Sequence, residues 1–127
     1  MIYTQLLNNT GGSVISALAI SAGASIYTQK VDSQRGVDSA LILVLAGATG
    51  NLSIAQEVSV DGVKFYTPYD LGGVTSMGNV GSALLITTGM YIALNQATSC
   101  PVITPYKRFV FTAHSAVTLS AYYLQQE

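Results

Sequence analysis

Charge is what this sequence has least of. Only 9% of its 127 residues are Asp, Glu, Lys or Arg, against roughly 25% in an average soluble domain. Five basic and six acidic residues leave a net charge of −1. That removes the electrostatic case for nucleic acid, because affinity for a phosphate backbone rests on clustered Lys and Arg. Tryptophan is absent, and Cys100 is the only cysteine, so no disulfide can close within the chain. His114 is the only histidine, which leaves an acid–base pair or a metal site without a second imidazole. Long hydrophobic runs are missing too. The longest, residues 40–48, falls far short of the ~20 residues of a membrane-spanning helix, so no membrane partner is expected. The first residues carry neither a basic cluster nor a long apolar segment, and a secretory signal is not expected.

What is there suits one β domain. Half the residues are hydrophobic, and the length fits a single core. The charges fall in three groups, Lys30, Asp32, Arg35 and Asp38; Glu57, Asp61, Lys64 and Asp70; Lys107 and Arg108; with Glu127 standing apart. The stretches between them are rich in Ser, Thr, Gly, Ala and Asn. A surface of that kind is cheap to desolvate, since no ion loses its water, and interface cores are depleted in charge for this reason.

The hydrophobic period is two. Leu52, Ile54, Val58 and Val60 share one parity, while Ser53, Ala55, Glu57, Ser59 and Asp61 take the other, which predicts a half-buried strand. Asp61-Gly62 then suits a two-residue hairpin turn, with residues 63–67 returning until Pro68. Residues 39–46 are almost all apolar and predict a central strand covered on both faces. Residues 14–20 and 24–28 flank Ser21-Ala22-Gly23 as another hairpin. Residues 82–88 and 90–94, and 108–113 and 117–124, supply the rest. About eight strands with frequent turns predict an antiparallel β-sandwich of jelly-roll type. Leu41, Leu43, Ile54, Val58, Val60, Phe109, Phe111, Val117 and Leu119 are its expected core.

Chemistry is harder to find. His114 sits in an expected turn, and Cys100 would need a base to become a nucleophile. The aspartates are spread over separate loops. Gly72, Gly73, Gly78 and Gly81 make no phosphate-binding fingerprint. Asn8 and Asn51 each open a glycosylation tripeptide that chance explains. Catalytic residues, metal ligands and cofactors are therefore not expected. Lys107 and Arg108 are expected to pair with a loop carboxylate such as Asp38 or Asp70. Tyr122 and Tyr123 adjoin on one strand, so one of them must face outward, where tyrosine suits protein contact. Residues 1–12 are free of charge and carry Ile2, Tyr3, Leu6 and Leu7. They read as an arm that pairs with a neighbouring chain, as the first strand of the sandwich, or as a frayed terminus.

Residues 36–44 (GVDSALILV), 52–62, 106–110 (YKRFV) and 117–121 (VTLSA) together resemble the small structural proteins of tailed bacteriophages, the capsid decoration or cement proteins. The resemblance spans residues 31–124. The sequence departs from that pattern in lacking Trp and in its low charge. The likeness implies a jelly-roll or related sandwich seated on the head shell as a dimer or trimer. Its partners would be the major capsid protein and further copies of itself, and its place the virion, assembled in the host cytoplasm. Such a protein performs no catalysis, and many equivalent weak contacts add up through multivalency. Two other readings stay open: a head-to-tail or tail component, and a small-molecule-binding β-barrel.

Overall fold

The computed structural model describes residues 2–32, 38–46, 50–69, 73, 76, 78–94 and 104–126. Among these residues, ten strands fold into two antiparallel sheets: β1 (Ile2–Leu6), β2 (Leu18–Ile20), β3 (Ser25–Tyr27), β4 (Val31–Asp32), β5 (Asp38–Leu45), β6 (Gly50–Ser59), β7 (Asn79–Ile86), β8 (Gly89–Ala93), β9 (Tyr106–Ala113) and β10 (Val117–Gln126). The first sheet has the order β1-β10-β5-β8, with β2 also on β10. The second has the order β3-β9-β6-β7, with β4 also on β9.

Alternation makes the strands and packs them. On β9 the buried residues are Lys107, Phe109, Phe111 and Ala113. On β10 they are Val117, Leu119, Ala121, Tyr123 and Gln125. Both rows turn inward with Leu41, Leu43 and Leu45 of β5 and Leu52 and Ile54 of β6. The Phe109 and Tyr123 rings meet between the sheets with centroids 5.7 Å apart. Each fully buried Leu, Ile or Phe contributes about 1.5–3 kcal/mol relative to exposure. Gly50 is required at its position, because a Cβ there would collide with the Val117 side chain.

β1 and β2 act as one interrupted strand along β10. Ile2–Leu6 lies opposite residues 122–126, and Leu18–Ile20 opposite residues 117–119. Between them the Leu7 N–H donates to the Ala121 carbonyl and the Ala121 N–H to the Ile15 carbonyl, both at 3.0 Å. β3 and β4 divide the flank of β9 in the same way. Counted so, the orders are those of an eight-stranded jelly roll. The excursion at residues 8–14 crosses to the other sheet. There the Thr10 N–H donates to the Tyr27 carbonyl (2.9 Å), and the Gln29 N–H to the Asn8 carbonyl (2.8 Å).

Three expectations are corrected. Ser21-Ala22-Gly23 is not a hairpin, because β2 pairs with β10 and β3 with β9. It is a corner where the chain changes sheets, so that the flanking Ile20 and Ile26 can both join the core. Asp61-Gly62 is not a two-residue turn. Asp61 Oδ1 accepts from the N–H groups of Val63 (2.9 Å) and Lys64 (3.0 Å), and Ser59 Oγ accepts from the Gly62 N–H (2.8 Å). These side-chain bonds open the turn into a wider loop, which closes only at the bridge between Val58 and Tyr66. Val60 consequently leaves the strand and is 76% exposed, while Val58 is half-buried. The other seven expected core residues are buried.

Truncating Phe111 to Ala should cost ~3–5 kcal/mol in urea denaturation, whereas Val60→Ala should change stability by less than about 0.5 kcal/mol. Residues 2–6 are the first strand of the sandwich, and Leu7 is buried in its core. Deleting residues 1–12 should therefore abolish the cooperative thermal transition, read by circular dichroism.

Candidate functional site

The outer side of the first sheet is where the interface candidates converge. Directly opposed residues in antiparallel strands share a face, so the register reads out its rows. Leu6, Tyr122, Ile42 and Tyr91 form one row across four strands. Thr4, Leu124, Ala40 and Ala93 form the next. Ile2, Gln126 and Asp38 follow toward one end, and Ser120, Val44 and Gly89 toward the other. Among the described residues, Asp38 is the sole charge on this face, and it sits at the margin.

The expected interface residues divide. Ile2 is 61% exposed, Leu6 and Tyr122 are half-buried on the outer face, and Tyr3 is half-buried on the inner side at the sheet edge. Leu7 is corrected: it is core, because the chain curls inward after Leu6 to donate its N–H to Ala121. Sequence reasoning missed Ile42, Val44 and Tyr91. It read residues 39–46 as covered on both sides. The structure covers only the side of Leu41, Leu43 and Leu45, and leaves Val44 exposed and Ile42 half-buried. The apolar run was the signal for this face, since it has no polar side to offer water.

The outer side of the second sheet is mixed, with polar and charged groups beside the exposed Tyr27 and Leu85. Arg108 Nε donates to Glu57 Oε1 at 2.6 Å, and these residues are direct cross-strand partners. The guanidinium also lies over the rings of Phe65 (4.4 Å) and Tyr27 (5.0 Å). The expected partners, Asp38 and Asp70, are not those of Arg108, and Asp70 lies outside the described residues. Ser25 and Thr112 share a hydrogen bond of 2.8 Å. His114 sits in its turn with Nε2 2.6 Å from Ser53 Oγ, which also accepts from the Ala83 N–H at 2.9 Å. A Ser–His contact is therefore present, but the hydroxyl oxygen is already engaged by a backbone donor. Cys100 and its possible contact with His114 lie outside the described residues. Among those described, no three His, Cys, Asp or Glu side chains gather as a metal site.

Among the described residues, three ionisable groups are perturbed. Burial pushes the Lys107 ammonium below its ordinary 10.5. Burial raises the Tyr123 phenol above 10.0, against the Ser39 hydroxyl, which lowers it. Hydrogen bonds from the Val63 and Lys64 backbones hold the Asp61 carboxyl below 3.8. These values serve packing and a loop, and none of the three lies on the outer face of the first sheet. No protein-family model matches the chain, and no curated protein matches it.

Lys107 is only 4% exposed, so replacing it by Met should stabilise the fold by ~1–3 kcal/mol at pH 7. The unfolded chain holds this proton more tightly than the folded one. The penalty is therefore complete below the folded pKa and fades as the pH rises toward 10.5. The stability gap between variant and parent, measured by urea denaturation across alkaline pH, should narrow accordingly.

Proposed function

We propose that this chain is a non-enzymatic structural protein of a phage virion, a capsid decoration protein that binds the outside of the head shell. One observation carries the proposal: a four-stranded outer face of Leu6, Tyr122, Ile42, Tyr91, Leu124 and Val44 with a single marginal charge. Covering such a face strips water from apolar and neutral groups alone, and tyrosine makes strong contact anchors. Its contacts would be with the major capsid protein and with further copies of the chain, in the virion. Repetition over a symmetric shell turns a modest contact into stable attachment. The jelly roll is also used by capsid domains, a fold-level analogy that adds weight without deciding function.

The packing argues against a ligand carrier. The space between the sheets is taken by Phe109, Phe111, Leu41, Leu43, Leu52 and Leu119, all fully buried. The sheets form an open sandwich and do not close into a barrel.

The test is sedimentation with purified particles of the phage that encodes the chain. The parent should co-sediment with filled heads. Val44→Asp, which places a carboxylate at an exposed apolar position of the face, should keep its melting transition and lose binding at least tenfold, equivalent to about 1.4 kcal/mol. A folded parent that stays in the supernatant overturns the proposal.

A further inference from the structure

Asp61-Gly62 is the only Asp-Gly pair in the sequence, and no Asn-Gly pair accompanies it. An Asp-Gly pair is prone to modify itself, because glycine has no side chain to hinder its own nitrogen. That nitrogen can attack the carboxyl carbon of the aspartate before it. The N–Cγ bond forms, and the carboxyl's hydroxyl leaves with the amide proton as water. Water then opens the cyclic imide at the main-chain carbonyl and leaves isoaspartate, with no net change of mass. The attack needs a protonated carboxyl, since an ionised one has no leaving group. It also needs a glycine nitrogen free to turn and lose its proton.

The loop after β6 withholds both. The Gly62 N–H donates to Ser59 Oγ at 2.8 Å, and the Ser59 hydroxyl donates in turn to Asp61 Oδ1 at 3.1 Å. The same oxygen accepts from the N–H groups of Val63 (2.9 Å) and Lys64 (3.0 Å). These donors, the Val63 N–H foremost, favour the ionised carboxyl. Lys30 closes a further side. A Cβ built on Gly62 would come within 2.9 Å of Lys30 Cδ, so the lysine stem lies against the glycine, and its ammonium sits 4.9 Å from the centre of the Tyr106 ring. Ser59 is buried at the end of β6, whereas Asp61 is exposed. Water reaches the aspartate freely, so any protection comes from the hydrogen bonds and not from burial.

We infer that Asp61-Gly62 is a latent site of isoaspartate formation, and that the Ser59 hydroxyl keeps it closed by engaging the Gly62 N–H. The inference stands apart from the particle assignment. Isomerisation inserts a methylene into the main chain and displaces the carboxylate, so the bonds to Val63 and Lys64 are lost. The loop closed by the bridge between Val58 and Tyr66 then loses what fixes its shape, and with it the placement of the exposed Val60 and Val63.

The test is isoaspartate at position 61, read by peptide mapping of the purified chain after long incubation in mildly acidic buffer. A capped peptide of residues 59–64 runs beside it, with the same chemistry and no fold. The peptide should isomerise about tenfold faster than the chain, the factor for ~1.4 kcal/mol of barrier. Ser59→Ala should raise the rate in the folded chain by about the same factor. Ser59→Cys, which fills the same space with a weak acceptor, should do likewise, and it decides the matter where Ser59→Ala does not fold. A β-type circular dichroism spectrum with a retained melting transition assigns each rate to the folded state. A parent chain that isomerises as fast as the peptide overturns the inference. So does a folded Ser59 variant no faster than the parent, and a slower one would show the hydroxyl relaying the proton that drives the attack.

Discussion

The inward rows of β9 and β10 set the register for most of the molecule. The two strands are consecutive in sequence, separated by residues 114–116, and they stand at the middle of opposite sheets. Phe109 and Phe111 face Leu119, Ala121 and Tyr123 across the core. Every other strand except β7 and β8 pairs directly with one of these two. β3, β4 and β6 hang on β9, and β1, β2 and β5 on β10. A slip of one residue in either row would turn a whole set of large side chains toward water, so the core holds the entire pairing scheme in place.

Where alternation was strong, the sequence was legible. β9, β10 and β6 up to Gln56 could be read from parity alone, and their buried residues follow it. What parity cannot say is which sheet a strand joins. Ser21-Ala22-Gly23 has the chemistry of a tight turn, and the same residues serve equally well at a corner between sheets. Val60 shows a second limit. It keeps the parity of Ile54, but Ser59 and Asp61 draw the backbone into a loop one residue earlier. The Arg108–Glu57 pair needed a register that no local pattern contains. The outer face of β5 was visible as an apolar run and misread, because an apolar run does not say whether one of its faces or both are covered by the fold.

The two outer faces divide the work of a surface. The second sheet carries the ion pair, the cross-strand hydroxyls and the histidine, groups that water solvates well. The first sheet carries Leu, Ile, Val and Tyr. An exposed apolar face of this size is of the kind that favours association. The same composition explains why charges are so few: they are placed where the chain turns or where one face must stay wet.

The pairing of β1 with β10 has a kinetic consequence. Ile2 lies opposite Gln126, so among the described strands β1 pairs with the one farthest from it in sequence. Contacts this distant in sequence make folding slow. During the delay, uncharged β-forming segments are exposed with few gatekeeper charges to keep nascent chains apart.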